Sequence, residues 1–81
     1  MDEAYDAEGF GRAIRRARRA RGWTQADLAS WLGASRQTVV KLEAGGPVRL
    51  PFAMKALSML GSKAVITRKG RRLVEIVDGD A

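Results

Sequence analysis

Residues 23–43 have the sequence WTQADLASWLGASRQTVVKLE, which contains two helix-forming segments on either side of a glycine. Thr24 is a typical N-cap residue, and Asp27 three positions later completes an acidic capping box. Gly33 ends the first segment, because glycine takes a positive φ at little cost. Ser35 is the N-cap candidate of the second segment. The stretch therefore predicts two short helices joined by a tight turn.

Apolar side chains within this stretch recur at helical spacing. Leu28, Ala29 and Leu32 mark the inner face of the first helix, and Val39 and Leu42 mark that of the second. Most remaining positions of the second helix are polar or basic. One side of this helix is therefore available to a ligand.

Two further helices and a β-rich segment flank the pair. Apolar residues from Phe10 onward indicate a helix that ends at Gly22, and Pro51 begins another that ends at Gly61. The predicted fold is mainly α, with four helices and a C-terminal β-hairpin whose turn is at residues 68–71. The predicted organisation is an acidic arm over residues 1–9, a helical domain over residues 10–61, strands over residues 62–78 and a tail over residues 79–81.

The composition argues against several classes of function. The chain has no cysteine and no histidine, so disulfides, thiolate zinc sites and the commonest general base are excluded. No apolar stretch approaches the roughly 20 residues of a membrane-spanning helix, and the acidic start does not resemble a secretory signal. We therefore expect a cytoplasmic protein that is not an enzyme, binds no membrane and needs no metal or cofactor.

Charge is concentrated in the middle of the chain. Residues 1–9 carry a net charge of −4 and residues 73–81 carry −3, whereas the residues between them carry +13. Such a basic body favours binding to a polyanion, because neutralised phosphates release their counterions. An ordinary solvated surface is the alternative, and charge alone does not distinguish DNA from RNA or acidic lipid.

Three interlocking motifs carry a resemblance to a known family. They are Thr24-Gln25-x-x-Leu28-Ala29, Gly33-x-Ser35-x-x-Thr38-Val39 and Leu42-Glu43-x-Gly45. With these motifs the chain resembles the lambda-repressor/Cro-type helix-turn-helix domains, also called the xenobiotic-response-element type, over about residues 10–60. The resemblance implies a transcriptional repressor that binds double-stranded DNA.

The resemblance also implies roles for individual residues. The helix over residues 35–44 would enter the major groove, where Arg36 can pair with guanine, Gln37 with adenine, and Lys41 with a further base or a phosphate. Phosphate contacts, which fix the register on DNA without specifying sequence, would come from a second set of residues. This set is Thr24, Gln25, Ser35, Thr38 and Gly45.

Some of these residues also have a purely structural interpretation. Thr24 and Ser35 can act as helix caps alone. By the same resemblance, Arg18 and Glu43 would form a partly buried structural ion pair. Trp23 and Trp31 can stack on bases, but we favour packing for both.

The β-rich segment predicts self-association. A turn at Lys69-Gly70 would place Ile66 opposite Leu73, and the hairpin would carry apolar side chains on both faces. Association through the strands would cover these faces and pair their edges, whereas a hairpin folded onto its own helices is the alternative. The predicted homodimer interface comprises Val65, Ile66, Leu73, Val74 and Ile76.

A helix-turn-helix domain followed by one helix and a short β tail resembles the HipB-type antitoxins. That resemblance implies a dimeric autorepressor of an inverted-repeat operator, with a kinase-like toxin as a second partner. A stand-alone phage-like regulator and a protein-binding module without specific DNA binding are the alternatives.

Overall fold

The computed structural model describes the backbone of residues 2–4, 6–66 and 74–78, and the side chains of residues 6–62. The described chain contains four helices and three short strands. The helices are α1 (Ala7–Ala20), α2 (Gln25–Leu32), α3 (Arg36–Glu43) and α4 (Leu50–Met59), and the strands are β1 (Asp2–Ala4), β2 (Ser62–Ile66) and β3 (Val74–Asp78).

The central helices begin and end where local signals place them. Thr24 caps α2 through a capping box with Asp27, and Gly33 closes that helix at a φ of 65°. Ser35 caps α3, and its hydroxyl accepts a hydrogen bond from the Thr38 backbone N–H. These contacts fix the turn between the two helices, which in turn sets the direction of α3.

Helix α1 begins earlier than the sequence indicates. Its N-cap is Asp6, whose carboxylate accepts a hydrogen bond from the Gly9 backbone N–H at 2.8 Å. Residues 7–9 therefore belong to the helix, and residues 2–4, also within the predicted acidic arm, form a strand. The capping carboxylate satisfies an otherwise unpaired N–H group, which explains the earlier start.

Among the described side chains, the buried apolar core comes from the four helices and from Leu60, which follows α4. Ile14, Leu28, Val39 and Leu60 are its largest completely buried members. Each of the four helices contributes buried apolar residues to one continuous cluster. The cluster therefore holds α2 and α3 against a platform made by α1 and α4.

The contact between α1 and α3 depends on Gly11. A Cβ atom at this position would lie 2.6 Å from the Leu42 carbonyl oxygen and 2.7 Å from the Glu43 carbonyl carbon. Both neighbours are backbone atoms, which cannot rotate away. The absence of a side chain at Gly11 therefore allows the C-terminal end of α3 to rest directly on α1.

The strands form one antiparallel sheet in the order β1-β3-β2. Ile66 pairs with Val74, and Val65 pairs with Glu75. The predicted register, in which Ile66 lies opposite Leu73, is therefore wrong by one residue. It assumed a two-residue turn at Lys69-Gly70, and a change of one residue in the connection shifts the register of the whole pair.

Strand β1 was not predicted, and it occupies the second edge of β3. Asp2 pairs with Ile76, and Ala4 pairs with Val74. The acidic residues of this segment are uncommon in strands, so the local sequence gives no β signal there. The predicted turn at residues 68–71 and Leu73 lie outside the described residues.

Candidate nucleic-acid interface

The predicted base-contacting side chains lie on the solvent side of α3. Arg36, Gln37 and Lys41 are all exposed. Within the described residues, these three side chains form no hydrogen bond or ion pair with the rest of the chain. Their donors and acceptors can therefore meet base edges without first breaking an intramolecular bond.

The side chain between them is apolar. Val40 is 40% exposed on the outer side of α3, although most valines are buried. A methyl-bearing side chain at this place can contact the methyl group of thymine in a major groove. Val40 is not among the predicted DNA contacts.

The hydroxyl groups at the starts of α2 and α3 act as caps. Thr24 Oγ1 accepts from the Asp27 backbone N–H at 3.0 Å, and Asp27 Oδ2 accepts from the Thr24 N–H at 2.8 Å. Ser35 Oγ accepts from the Thr38 N–H at 3.2 Å, and the Ser35 and Thr38 hydroxyls are 3.0 Å apart. The structural interpretation of Thr24 and Ser35 is thus observed. Because the Thr24 hydroxyl only accepts in these bonds, its hydrogen remains for a phosphate, and the predicted contact stays a prediction.

Arg18 and Glu43 form a buried, bidentate ion pair. Arg18 Nε donates to Glu43 Oε2 at 2.6 Å, and Arg18 Nη2 donates to Glu43 Oε1 at 3.0 Å. A third donor, Nη1, contacts the Trp23 carbonyl oxygen at 2.8 Å. The two residues retain only 6% and 8% exposure. The pair therefore ties α1 both to the end of α3 and to the segment that leads into α2.

Gln25 belongs to the same network. Its Nε2 atom donates to Glu43 Oε1 at 3.2 Å, and the side chain is half-buried. One amide hydrogen is thereby used, whereas the other remains for a phosphate at the N-terminus of α2, where the helix dipole favours an anion. The structure thus connects a predicted phosphate contact with the predicted ion pair, a connection that the sequence analysis did not make.

The loop after α3 is packed against the first turn of α1. Gly45 has a φ of 84°, and a Cβ atom there would lie 2.8 Å from the Glu8 Cα. The N–H group of Gly45 donates to the Leu42 carbonyl at 3.1 Å, and that of Gly46 donates to the Lys41 carbonyl at 2.8 Å. In this conformation the predicted phosphate contact of Gly45 does not have a free N–H group.

A concave surface next to this loop offers other donors. It has a volume of about 280 Å³ and lies between α3 and the start of α4. Arg49, the N-cap residue of α4, forms no side-chain cap, so the first N–H groups of α4 have no such acceptor. Together with Lys41 and the Thr38 hydroxyl, Arg49 makes this surface attractive to a phosphate. The lining residues are Thr38, Lys41, Pro47, Val48, Arg49 and Phe52.

Sequence reasoning missed Arg49. A signal was nevertheless present, because a basic residue stands directly before Leu50 and Pro51, where proline in a first turn marks the start of a helix. A basic residue at such a start lies beside unpaired N–H groups. The combination indicates an anion-binding position.

The two tryptophans pack on each other. Their ring centroids are 6.0 Å apart with planes inclined by 28°, and the Arg21 guanidinium lies 5.7 Å from the centre of the Trp23 ring. Trp23 is half-buried, whereas Trp31 is 59% exposed. Arg21 also donates from Nε to the Leu60 carbonyl oxygen at 2.9 Å, which connects the end of α1 with the end of α4.

The described residues contain no cluster of three or more potential metal ligands. Nor does any described helix have the length and apolar character needed to cross a membrane.

The chain is similar to a known protein family and to several solved structures. A family model described as a helix-turn-helix domain matches residues 10–64. Seven chains of solved structures are similar to this chain. One is a crystal structure of Fe(II)-HppE with the alternative substrate (S)-1-HPP, which matches 72% of this chain at 28% identity with a TM-score of 0.63. The match spans only 31% of that longer chain, and the iron and the substrate belong to that protein. No curated protein sequence matches the chain.

Proposed function

Because this chain belongs to the helix-turn-helix domain family, we propose that it is a sequence-specific transcriptional repressor that inserts α3 into the major groove of DNA. Arg36 and Gln37 contact bases near the start of the helix, and Lys41 contacts a base or phosphate one turn later. Gln25, Arg49 and the hydroxyls at the helix starts hold the flanking phosphates.

A single observation carries this proposal. The polar side chains on the outer side of α3 are exposed and unpaired within the described residues, whereas the helix that presents them is fixed at both ends. Ser35 caps its start, and the buried pair of Glu43 with Arg18 anchors its end. A rigid helix with uncommitted hydrogen-bonding side chains is suited to distinguish base edges.

The proposed biological role is that of an antitoxin. In this role the protein binds as a homodimer to an inverted-repeat operator near its own gene, and it also binds a kinase-like toxin. The support is the resemblance to HipB-type antitoxins together with short strands that follow α4. A stand-alone regulator is the alternative, and it shares the DNA-binding mechanism.

Selection from random duplex DNA tests the DNA-binding proposal. The expected outcome is enrichment of one inverted-repeat motif at moderate salt. The Arg36→Ala/Gln37→Ala double variant serves as the matched control, because both positions are exposed and helix α3 tolerates alanine. This variant should bind random DNA but enrich no motif. Failure of the native chain to enrich any motif would contradict specific DNA binding.

The antitoxin role has its own test. A kinase-like reading frame next to this gene, whose product forms a stable complex with this chain, is the expected result. If the DNA motif is enriched but no adjacent product binds the chain, the stand-alone regulator is supported instead.

A further inference from the structure

The outer side of α1 carries an unusually dense group of positive charges. Five arginines fall within eight consecutive residues, and four of them are exposed, whereas Arg18 is buried. At about 100° per residue, the four exposed side chains fall within an arc of about 100° that lies opposite Ile14 and Ala17. We call this surface the arginine face, and it consists of Arg12, Arg15, Arg16 and Arg19.

The arginine face is electrostatically costly in the free protein. Its members form i, i+3 and i, i+4 pairs of like charge, and each such pair destabilises a helix. Within the described residues, the side chains of Arg12, Arg15 and Arg19 have no ion-pair partner, although Arg16 does interact with another group. A bound anion would relieve the repulsion among these like charges.

The arginine face is distinct from the surface formed by α3. Helix α1 meets α3 through Gly11 and through Arg18, which bonds to Glu43. On a helical wheel these two positions lie roughly 40–160° away from the four arginines. The arginine face also encloses its own shallow concavity of about 300 Å³. It is therefore a separate surface beside the α3 interface.

The surroundings of the arginine face identify the chemistry of its partner. Protein interfaces contain a packed apolar centre, and membrane-bound helices bury apolar side chains. The exposed large apolar residues among those described lie on other helices, namely at Trp31, Val40, Leu50, Met54 and Met59. Phosphate backbones, in contrast, require only positive charge. The arginine face extends for about 10 Å along the helix, a distance that covers about three phosphates of one DNA strand.

We propose that the arginine face binds the phosphate backbone of a second DNA segment while α3 occupies the operator. This inference rests on the proposed function, because it requires a protein that is already bound to DNA. Its consequence is that one protein brings two duplex segments together without specifying the sequence of the second.

A two-step binding experiment tests this proposal. The protein is first saturated with the duplex enriched by selection, so that all α3 surfaces are occupied, and a labelled duplex without the motif is then added. The test variant is Arg12→Gln/Arg15→Gln/Arg19→Gln, which keeps Arg16 and uses a residue with similar helix propensity. The control variant carries Lys at the same three positions, so that the charge is conserved.

The expected result is that the native protein and the Lys variant capture the second duplex. The Gln variant should capture it at least about tenfold more weakly, while its operator affinity stays within about threefold. Capture should decrease steeply with salt. Absence of capture by the operator-saturated native protein would overturn the proposal, as would equal capture by the Gln variant. Capture of a polyglutamate peptide but not of DNA would indicate an acidic protein partner instead.

If the proposed sequence-specific DNA binding is wrong, the experiments give a different set of results. If no motif is enriched, specific DNA binding is contradicted, and the three proteins are then compared on random duplex alone. The arginine face is supported there only if the Gln variant loses most of the binding and the Lys variant retains it.

Discussion

At the scale of single residues, the Arg18–Glu43 pair sets the strongest expectation for stability. Replacing Arg18 with Met leaves the buried Glu43 carboxylate without its main partner, and we expect a loss of about 3–5 kcal/mol in the free energy of unfolding. The double variant Arg18→Met/Glu43→Leu should recover much of that loss, because no buried charge is stranded. Urea unfolding of the two single variants and the double variant measures the coupling.

The exposed neighbour Arg19 provides the control for this cycle. Arg19→Met should change the free energy of unfolding by no more than about 0.5 kcal/mol, since the side chain is exposed. A coupling energy near zero between Arg18 and Glu43 would contradict the expectation. It would mean that the pair does not hold the end of α3 in solution.

Substitutions at Gly22 and Gly45 distinguish the strain of a positive φ from the strain of a close contact. Gly45→Ala introduces both a positive φ for a side-chain-bearing residue and a contact of 2.8 Å with the Glu8 Cα, whereas Gly22 has a φ of 73° and open space around it. We expect Gly22→Ala to cost about 1–2 kcal/mol and Gly45→Ala to cost about 1–3 kcal/mol more. Thermal or urea unfolding measures both. Equal losses would show that α1 and the loop move apart at no cost.

Residues with local signals were predictable, and residues with distant partners were not. The caps Thr24 and Ser35 could be recognised from their neighbours alone, because a capping contact spans three residues. Arg21 and the Leu60 carbonyl that it contacts are 39 residues apart, and no local sequence pattern predicts such a contact. Arg18 and Glu43 were paired in advance only through the family resemblance, since spacing along the chain does not show that they meet.

At the scale of elements, α3 and the start of α2 should have separable effects on DNA binding. Arg36→Ala should cost about 1–3 kcal/mol on the preferred duplex and relax the preference at one base position. Gln25→Ala should instead weaken binding by a similar factor on all sequences, because a phosphate contact carries no sequence information. Equilibrium binding to the preferred duplex and to random duplex at one fixed salt concentration distinguishes these outcomes.

A contrary result would be informative about Gln25. If Arg36→Ala lowers affinity for both duplexes equally, Arg36 contacts a phosphate and not a base. If Gln25→Ala lowers stability more than DNA affinity, its bond to Glu43 at 3.2 Å is its main role. Unfolding of the same variant in the absence of DNA provides that comparison.

The helices were predictable as elements, whereas the strands were predicted less accurately. Helix α2 was expected over residues 25–32 and is observed there, because its apolar spacing and its two end residues agree. The pairing of β2 with β3 was shifted by one residue, since register depends on the connection and on neighbouring strands. The short acidic β1 forms only through its partner β3, so its own sequence does not indicate it.

At the scale of the whole molecule, the sheet changes the argument for dimerisation. Strand β3 pairs on both sides within the chain, so the unpaired edges of the described sheet are the outer edges of β1 and β2. Such edges favour pairing with another chain. Val65 and Ile66 of the predicted interface lie on β2, and Val74 and Ile76 lie on β3. The predicted interface therefore remains a prediction that a measurement of oligomeric state can decide.

The oligomeric state can be measured for the intact chain and for a chain that is truncated after Thr67. The truncation removes β3, the strand that β1 and β2 share, but leaves the helical core, which consists of residues up to Leu60. It also removes four basic and three acidic residues, so the net charge falls only from +6 to +5. We expect sedimentation to show a dimer for the intact chain and a monomer with helical circular dichroism for the truncated chain.

The same truncation should weaken operator binding far more than binding to random DNA. Two α3 helices related by a two-fold axis meet successive major grooves about 34 Å apart, so the intact dimer requires half-sites separated by about ten base pairs or a multiple. Loss of the link between half-sites should reduce operator affinity by about 10²–10⁴. The truncation also removes four basic residues, so the loss of affinity for random DNA measures the electrostatic part, and the additional loss on the operator measures the link. If the intact and truncated chains sediment alike, the strands are not the dimer interface. If both are dimers and both distinguish half-site spacing, the interface must instead lie on the helices, where Leu50 and Met54 are the most exposed apolar residues of α4.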